Sequence, residues 1–253
     1  MEVAELGHRY GPGAGVVKPL VTRWVVVTGD VVGSRRLEPR ERLREALEEA
    51  LARFNQQWAH DLAVPFSISA GDEVQGVVRP GPGAFAAVRR LRAELRRAPL
   101  APGVRLRVGI GWGTIDTPFS AARSWEMDGE AFHLARQALA AAKAAQGRRG
   151  GAVEVTRFAG PEGRHTAWVN VVLTLLDAIL ERWTAEQWEA VAAYERLGTY
   201  AAAADELGVA PQNVQKRCAA ARWPAVRGAE RFLGETLEQA PSDGEIHPSE
   251  GEP

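Results

Sequence analysis

The chain has 253 residues, a formal net charge of −1 and a single cysteine, Cys218. That length holds one large domain or two small ones, and a near-zero charge creates no global pull toward nucleic acid or membrane. One cysteine excludes an internal disulfide framework and any cysteine-built metal cage, and no apolar run is long enough to predict a membrane span.

Residues 1–20 are Gly-rich without an apolar segment of the secretory kind, and read as a flexible arm of a cytoplasmic protein. Arg23–Thr28 (RWVVVT) is nearly all apolar and predicts a buried strand that stops at Gly29-Asp30. Ser34 can cap the next helix, with Pro39 in its first turn. From Glu38 to Trp58 the residues Leu43, Leu47, Leu51 and Phe54 recur at helical spacing, which predicts an amphipathic helix. Pro65 ends the connection. Phe66–Ala70 and Val74–Val78 then read as two strands folded back at Gly71-Asp72, where glycine supplies the positive φ of a tight turn.

A second amphipathic helix is expected over Ala84–Arg97 through Phe85, Val88, Leu91 and Leu95, its other face rich in arginine. Val104–Ile115 (VRLRVGIGWGTI) alternates as a strand that puts Gly109, Gly111 and Gly113 on one face with Arg105 and Arg107. So bare a strip admits a nucleotide base, a second protomer or simply the close packing of a third helix. That helix is expected over Phe132–Ala145, followed by an extra strand over Ala152–Phe158.

The order strand, helix, strand, strand, helix, strand predicts an α+β fold with a ferredoxin-like βαββαβ unit over residues 21–160. That topology makes the first and third strands neighbours and brings Asp30 beside Asp72 and Glu73. Adjacent carboxylates at a turn cost stability unless something such as a divalent cation pairs them. The plainer reading leaves Asp30 and Asp72 as turn residues.

After Gly160-Pro161 the pattern is helical, and residues 165–236 form an expected second domain. Thr166–Trp183 is followed by Ala185–Arg196, with Thr184 as cap and Gly198 closing it. Tyr200–Leu207, Gly208-Val209-Ala210 and Pro211–Arg222 then make a helix-turn-helix pattern. Gln212, Asn213, Gln215, Lys216, Arg217 and Arg222 are residue types suited to base edges and phosphates, so DNA is a candidate partner. Asp205 and Glu206 oppose it, and such trihelical units also serve as packing elements. Trp168, Trp183, Trp188 and Trp223 read as the core, and residues 239–253 as a disordered acidic tail.

Three blocks resemble the class III nucleotidyl cyclases: Asp30-Val31-Val32-Gly33, Gly71-Asp72, and Arg107 to Gly113. The hairpin is also similar to that of GGDEF diguanylate cyclases, with Ala70 in place of the first glycine. As a whole pattern the chain resembles the SatD family, through GDVVGSR, GDEVQG, RVGIGWG and MDGEAFHLAR in that order over about residues 24–233.

The cyclase resemblance implies two-metal handling of a nucleoside triphosphate. Asp30 and Asp72 would hold Mg²⁺ or Mn²⁺ with the Val31 carbonyl, and Glu73 would assist. The amides of Val32, Gly33 and Ser34, with Arg35 and Arg36, would meet phosphates. Catalysis at a homodimer interface is implied too. The pattern departs at Ile68, where the cyclases carry a base-reading lysine. On the third helix the transition-state pair is replaced by His133 and Gln137, with Arg136 one residue out of register. His133 and Arg136 remain phosphate candidates, and His133 alone equally suits a surface position. A non-catalytic transcriptional regulator, whose first domain senses a ligand or dimerises, stands beside the enzyme reading.

Overall fold

A computed structural model describes residues 22–34, 40–97, 104–119, 124–145, 153–161 and 164–239. The expected arm, the tail beyond Gln239, and Arg35 and Arg36 lie outside these residues. The fold is mixed α+β, with eight α-helices and one five-stranded sheet among the described residues.

The strands are β1 (Trp24–Val31), β2 (Leu62–Ala70), β3 (Glu73–Val78), β4 (Leu106–Gly113) and β5 (Thr156–Ala159), in the order β2-β3-β1-β4-β5. All neighbours run antiparallel except β4 and β5, which are parallel. β1 does not stop at Gly29-Asp30: Asp30 is in register with Glu73 on one side and Arg107 on the other. With a ladder on both edges, no backbone group there is left to turn. Pro65 lies inside β2 rather than ending a connection, which is possible because β2 is an edge strand with register shifts around it.

Helices α1 (Arg40–Gln57) and α2 (Ala86–Arg96) cover one sheet face, where Val25, Val27, Val74, Val78, Val108 and Ile110 meet Leu47, Phe54 and Leu91. Helix α3 (Glu130–Ala145) covers the other face, packing Ala131, Phe132 and Ala135 on Val26 and Val77. The glycine strip is explained here. A Cβ at Gly109 or Gly111 would overlap the α3 backbone at Ala131, Ala135 or Leu139. The strip exists so that α3 can lie against the strand.

The helical part comprises α4 (Arg164–Leu180), α5 (Ala185–Leu197), α6 (Tyr200–Leu207), α7 (Pro211–Ala220) and α8 (Trp223–Gln239). Thr184 starts α5 with a capping box, and Gly208 ends α6 in the left-handed conformation. Trp183, Trp188 and Trp223 are buried, and Trp168 packs against the same core. The described residues from Arg23 onward form one compact unit.

What joins the sheet to the helices is α2, whose arginine face turns inward. Arg89 is buried and donates to Glu230 at 2.8 and 3.0 Å and to Glu195 at 2.8 and 3.0 Å. Arg92 is buried too, donating to Asp177 at 2.9 Å and to the Leu106 carbonyl at 3.0 Å. Asp177 in turn accepts from the backbone and hydroxyl of Thr156. One helix is thus tied to β4, β5, α4, α5 and α8 through two guanidinium groups.

Burial alone would raise the Glu195 carboxyl, but Arg89, joined by Arg90, outweighs it and holds the group below the ordinary glutamate range. A carboxylate with a depressed folded pKa adds stability above its unfolded value, about 4.3, and loses it as pH falls through the folded value. Melting temperature followed downward from pH 6 should therefore fall below about pH 4, and Glu195→Gln should flatten that acid limb. In urea titrations Arg89→Ala should cost about 3–5 kcal/mol, because Glu230 is left buried without its hydrogen-bonding partner and Glu195 keeps only Arg90. Replacing Arg89, Glu195 and Glu230 together by apolar residues should cost far less.

Candidate functional site

Asp30, Thr28 and Val26 of β1 point to the α3 side of the sheet, level with Glu73, Gln75 and Val77 of β3. The sequence expectation that Asp30 and Glu73 come together holds in this geometry: they are cross-strand partners. Asp72 sits one residue away on the turn, half-exposed, and Gly71 takes the positive φ. Glu73 accepts a 3.0 Å hydrogen bond from the Thr28 hydroxyl.

The Asp30 carboxylate is nearly buried and both its oxygens are engaged. Arg107 donates to Oδ1 at 3.0 Å and to Oδ2 at 2.7 Å, and the Lys143 ammonium lies 3.2 Å from Oδ2. Two chain cations therefore occupy the position where the cyclase resemblance puts metal ions. No group of three or more His, Cys, Asp or Glu side chains among the described residues is arranged to hold a metal. As arranged, the donor set fits an internal ion triad rather than a two-metal centre.

Of the three amides expected to meet phosphates, that of Val32 is engaged within the fold. The Val32 amide donates to the Arg105 carbonyl at 2.7 Å, so it extends the sheet. Gly33 has a positive φ and Ser34 follows it, both with some exposure. The Val31 side chain is buried in the α1–α2 core, and Ile68 packs against that core as well.

His133 and Arg136 are not brought to Asp30. They lie on the exposed side of the first turns of α3, His133 Nε2 3.4 Å from Asp128 and Arg136 3.2 Å from His133 Nδ1. Lys143 is ten residues further along α3, about 15 Å at a rise of 1.5 Å per residue. Gln75 is buried, its side-chain amide donating to the Ser124 carbonyl at 2.8 Å and its backbone carbonyl accepting from the Ser124 hydroxyl at 2.9 Å.

Arg107, Lys143 and Thr28 are the site residues that sequence reasoning missed. Sequence alternation puts Arg107 on the glycine face and no more, and Lys143 gives no signal beyond its position in a last helical turn. The pairing of Asp30 with Arg107 depends on strand register, which sequence spacing does not contain.

In the helical part, Val214 and Cys218 anchor α7 inward. Burial raises the Cys218 thiol to about 11, so it is an inert packing group. Gln212, Asn213, Gln215 and Lys216 are exposed on the opposite face, Arg217 is half-buried, and Arg222 is exposed with a positive φ beyond the helix end. On α6 the Glu206 carboxylate is paired with Arg196.

The class defined by this fold is a mixed α+β protein in which a five-stranded sheet and a helical bundle share one core. Residues 24–221 match the SatD family, and the chain belongs to that family. No curated protein matches the chain. No helix among the described residues is long and apolar enough to cross a membrane.

If Asp30 is a structural anchor, Asp30→Ala should destabilise the fold by about 1–3 kcal/mol in chemical denaturation, by removing the bidentate pair with Arg107. Lys143→Met should cost under about 1 kcal/mol, since that ammonium is 44% exposed and water replaces its partner.

Proposed function

We propose that this protein is a DNA-binding regulator: α6 and α7 act as a helix-turn-helix, and the sheet is a cyclase-related, ferredoxin-like scaffold without two-metal chemistry. The observation that carries the reading is the outer face of α7. Anchoring by Val214 and Cys218, four residues apart, leaves Gln212, Asn213, Gln215 and Lys216 exposed together. Asn and Gln read adenine edges bidentately, and Lys216, Arg217 and Arg222 are placed to meet phosphates beside them. The acidic character of α6 is reduced by the pairing of Glu206 with Arg196. A homodimer belongs to this reading, because two copies of α7 would address half-sites about 34 Å apart.

A second reading, a metal-dependent nucleotide site, has one observation in its favour. Asp30 and Glu73 are paired across strands with Asp72 on the adjoining turn. For it to operate, Asp30 would have to exchange Arg107 and Lys143 for Mg²⁺ or Mn²⁺.

The two readings part in two measurements. Gel shifts on pooled genomic fragments should show salt-dependent binding. Lys216→Ala should weaken it evenly and lower the log–log salt slope by about one, while Asn213→Ala should cost about 1–3 kcal/mol at a preferred site. An absence of any shift, or shifts indifferent to both variants, sinks the DNA reading. Thermal stabilisation by a nucleoside triphosphate with Mn²⁺, lost in Asp72→Asn, would instead establish the nucleotide site.

A further inference from the structure

A cavity of about 290 Å³ lies between the end of α2, the segment entering β4 and the start of α5. It is lined by Arg96, Arg97 and Arg105 and by Trp183 and Trp188. Ala93, Ala185 and Ala192 add apolar lining. Small side chains at those three positions leave the space open in front of the indoles.

The three arginines differ in what they have left to offer. Arg96 is committed: its guanidinium lies over the Trp188 ring at 4.1 Å and is paired with Glu154. Arg97 and Arg105 stand at the rim with side chains 44% and 36% exposed. The Arg97 guanidinium donates once, to the Glu94 carboxylate at 3.3 Å. The carboxylates nearest Arg105, those of Glu154 and Glu181, are both 3.7 Å away, beyond hydrogen-bonding distance. A guanidinium has five N–H donors in a fork that matches a carboxylate. The rim therefore has donor capacity that the fold leaves unused.

Size and charge narrow the ligand. Ligand pockets span about 300–1,000 Å³, and this one lies at the small end, matched to a single ring rather than a nucleotide. Glu189 and Glu181 beside the rim disfavour a second negative charge. We propose that this cavity binds a small aromatic carboxylate, its ring against Trp183 and Trp188 and its carboxylate held by Arg97 and Arg105.

The back wall of the site reaches α7. The Trp183 indole N–H donates at 2.9 Å to the carbonyl of Ala221, the residue that closes α7, and the Trp183 ring meets Trp188 edge-on at 4.9 Å. An occupant would thus touch a ring bonded to the end of the proposed reading helix. Binding itself stands independently of the DNA reading.

The test uses the full chain and 4-fluorobenzoate, followed by ¹⁹F NMR titration, with 4-fluorobenzyl alcohol as the uncharged comparison. Saturable binding of the acid is expected, weakened at least about tenfold in the alcohol and in the Arg97→Gln, Arg105→Gln double variant, since a charged hydrogen-bonded pair is lost. Ala192→Leu should abolish binding by filling the cavity, with a thermal melt confirming that each variant is folded. The proposal is overturned if the wild type shows no saturation, if acid and alcohol bind equally, or if the folded double variant binds as the wild type does. None of these readouts depends on DNA, so they fail or succeed separately from the gel shifts.

Discussion

The architecture depends on two arginines buried in α2. Arg89 and Arg92 are among the largest fully buried side chains, and each is fully desolvated. An unpaired charge in such a position would cost several kcal/mol, so each must be met by acids at hydrogen-bonding distance. Those acids come from elsewhere in the chain: Glu195 from α5, Glu230 from α8 and Asp177 from α4, with Glu154 just before β5 adding an ion pair to Arg92 at 3.4 Å. The electrostatic requirement thereby fixes the position of the helical part against the sheet more narrowly than apolar contact alone. Trp223 adds to it, its ring 4.6 Å from the Arg89 guanidinium.

The same logic governs the sheet face where a catalytic centre was expected. Asp30 is buried, and Arg107 and Lys143 pair with it from the neighbouring strand and from α3. The Asp30 carboxylate is neutralised by these side chains. The glycine strip of β4 belongs to this arrangement: by admitting α3 closely, it lets Lys143 in the last turn of that helix reach Asp30. Charge neutralisation by protein cations ties β1, β4 and α3 together at this end of the sheet.

Much of the secondary structure was legible from local patterns. α6 begins and ends where the spacing and Gly208 place it, and α5 starts at the Thr184 cap. These features are encoded within a few residues of where they act. Helix α8 was not legible as such, because Pro224, Gly228 and Gly234 interrupt its pattern and its role depends on Glu230 meeting Arg89. For the candidate site, the convergence of Asp30 and Glu73 could be read from strand order. Their partners could not: Arg107 is 77 residues from Asp30, and only register joins them. The arginine-rich face of α2 was visible, but whether it met water or acid was not, since a charged stripe reads alike in both cases.

Local sequence is enough to specify most of the helices, the hairpin at Gly71-Asp72, the α+β class and the acidic residues that gather at the ends of β1 and β3. Short-range sterics, capping and hydrophobic period suffice for those. Which charges neutralise which is a property of the folded chain alone. Coulomb energy depends on separation and burial, and both are set by the packing of elements far apart in the chain. That is why Asp30 emerged as an anchor held by Arg107 and Lys143, and why Arg97 and Arg105 emerged as cations with donors to spare.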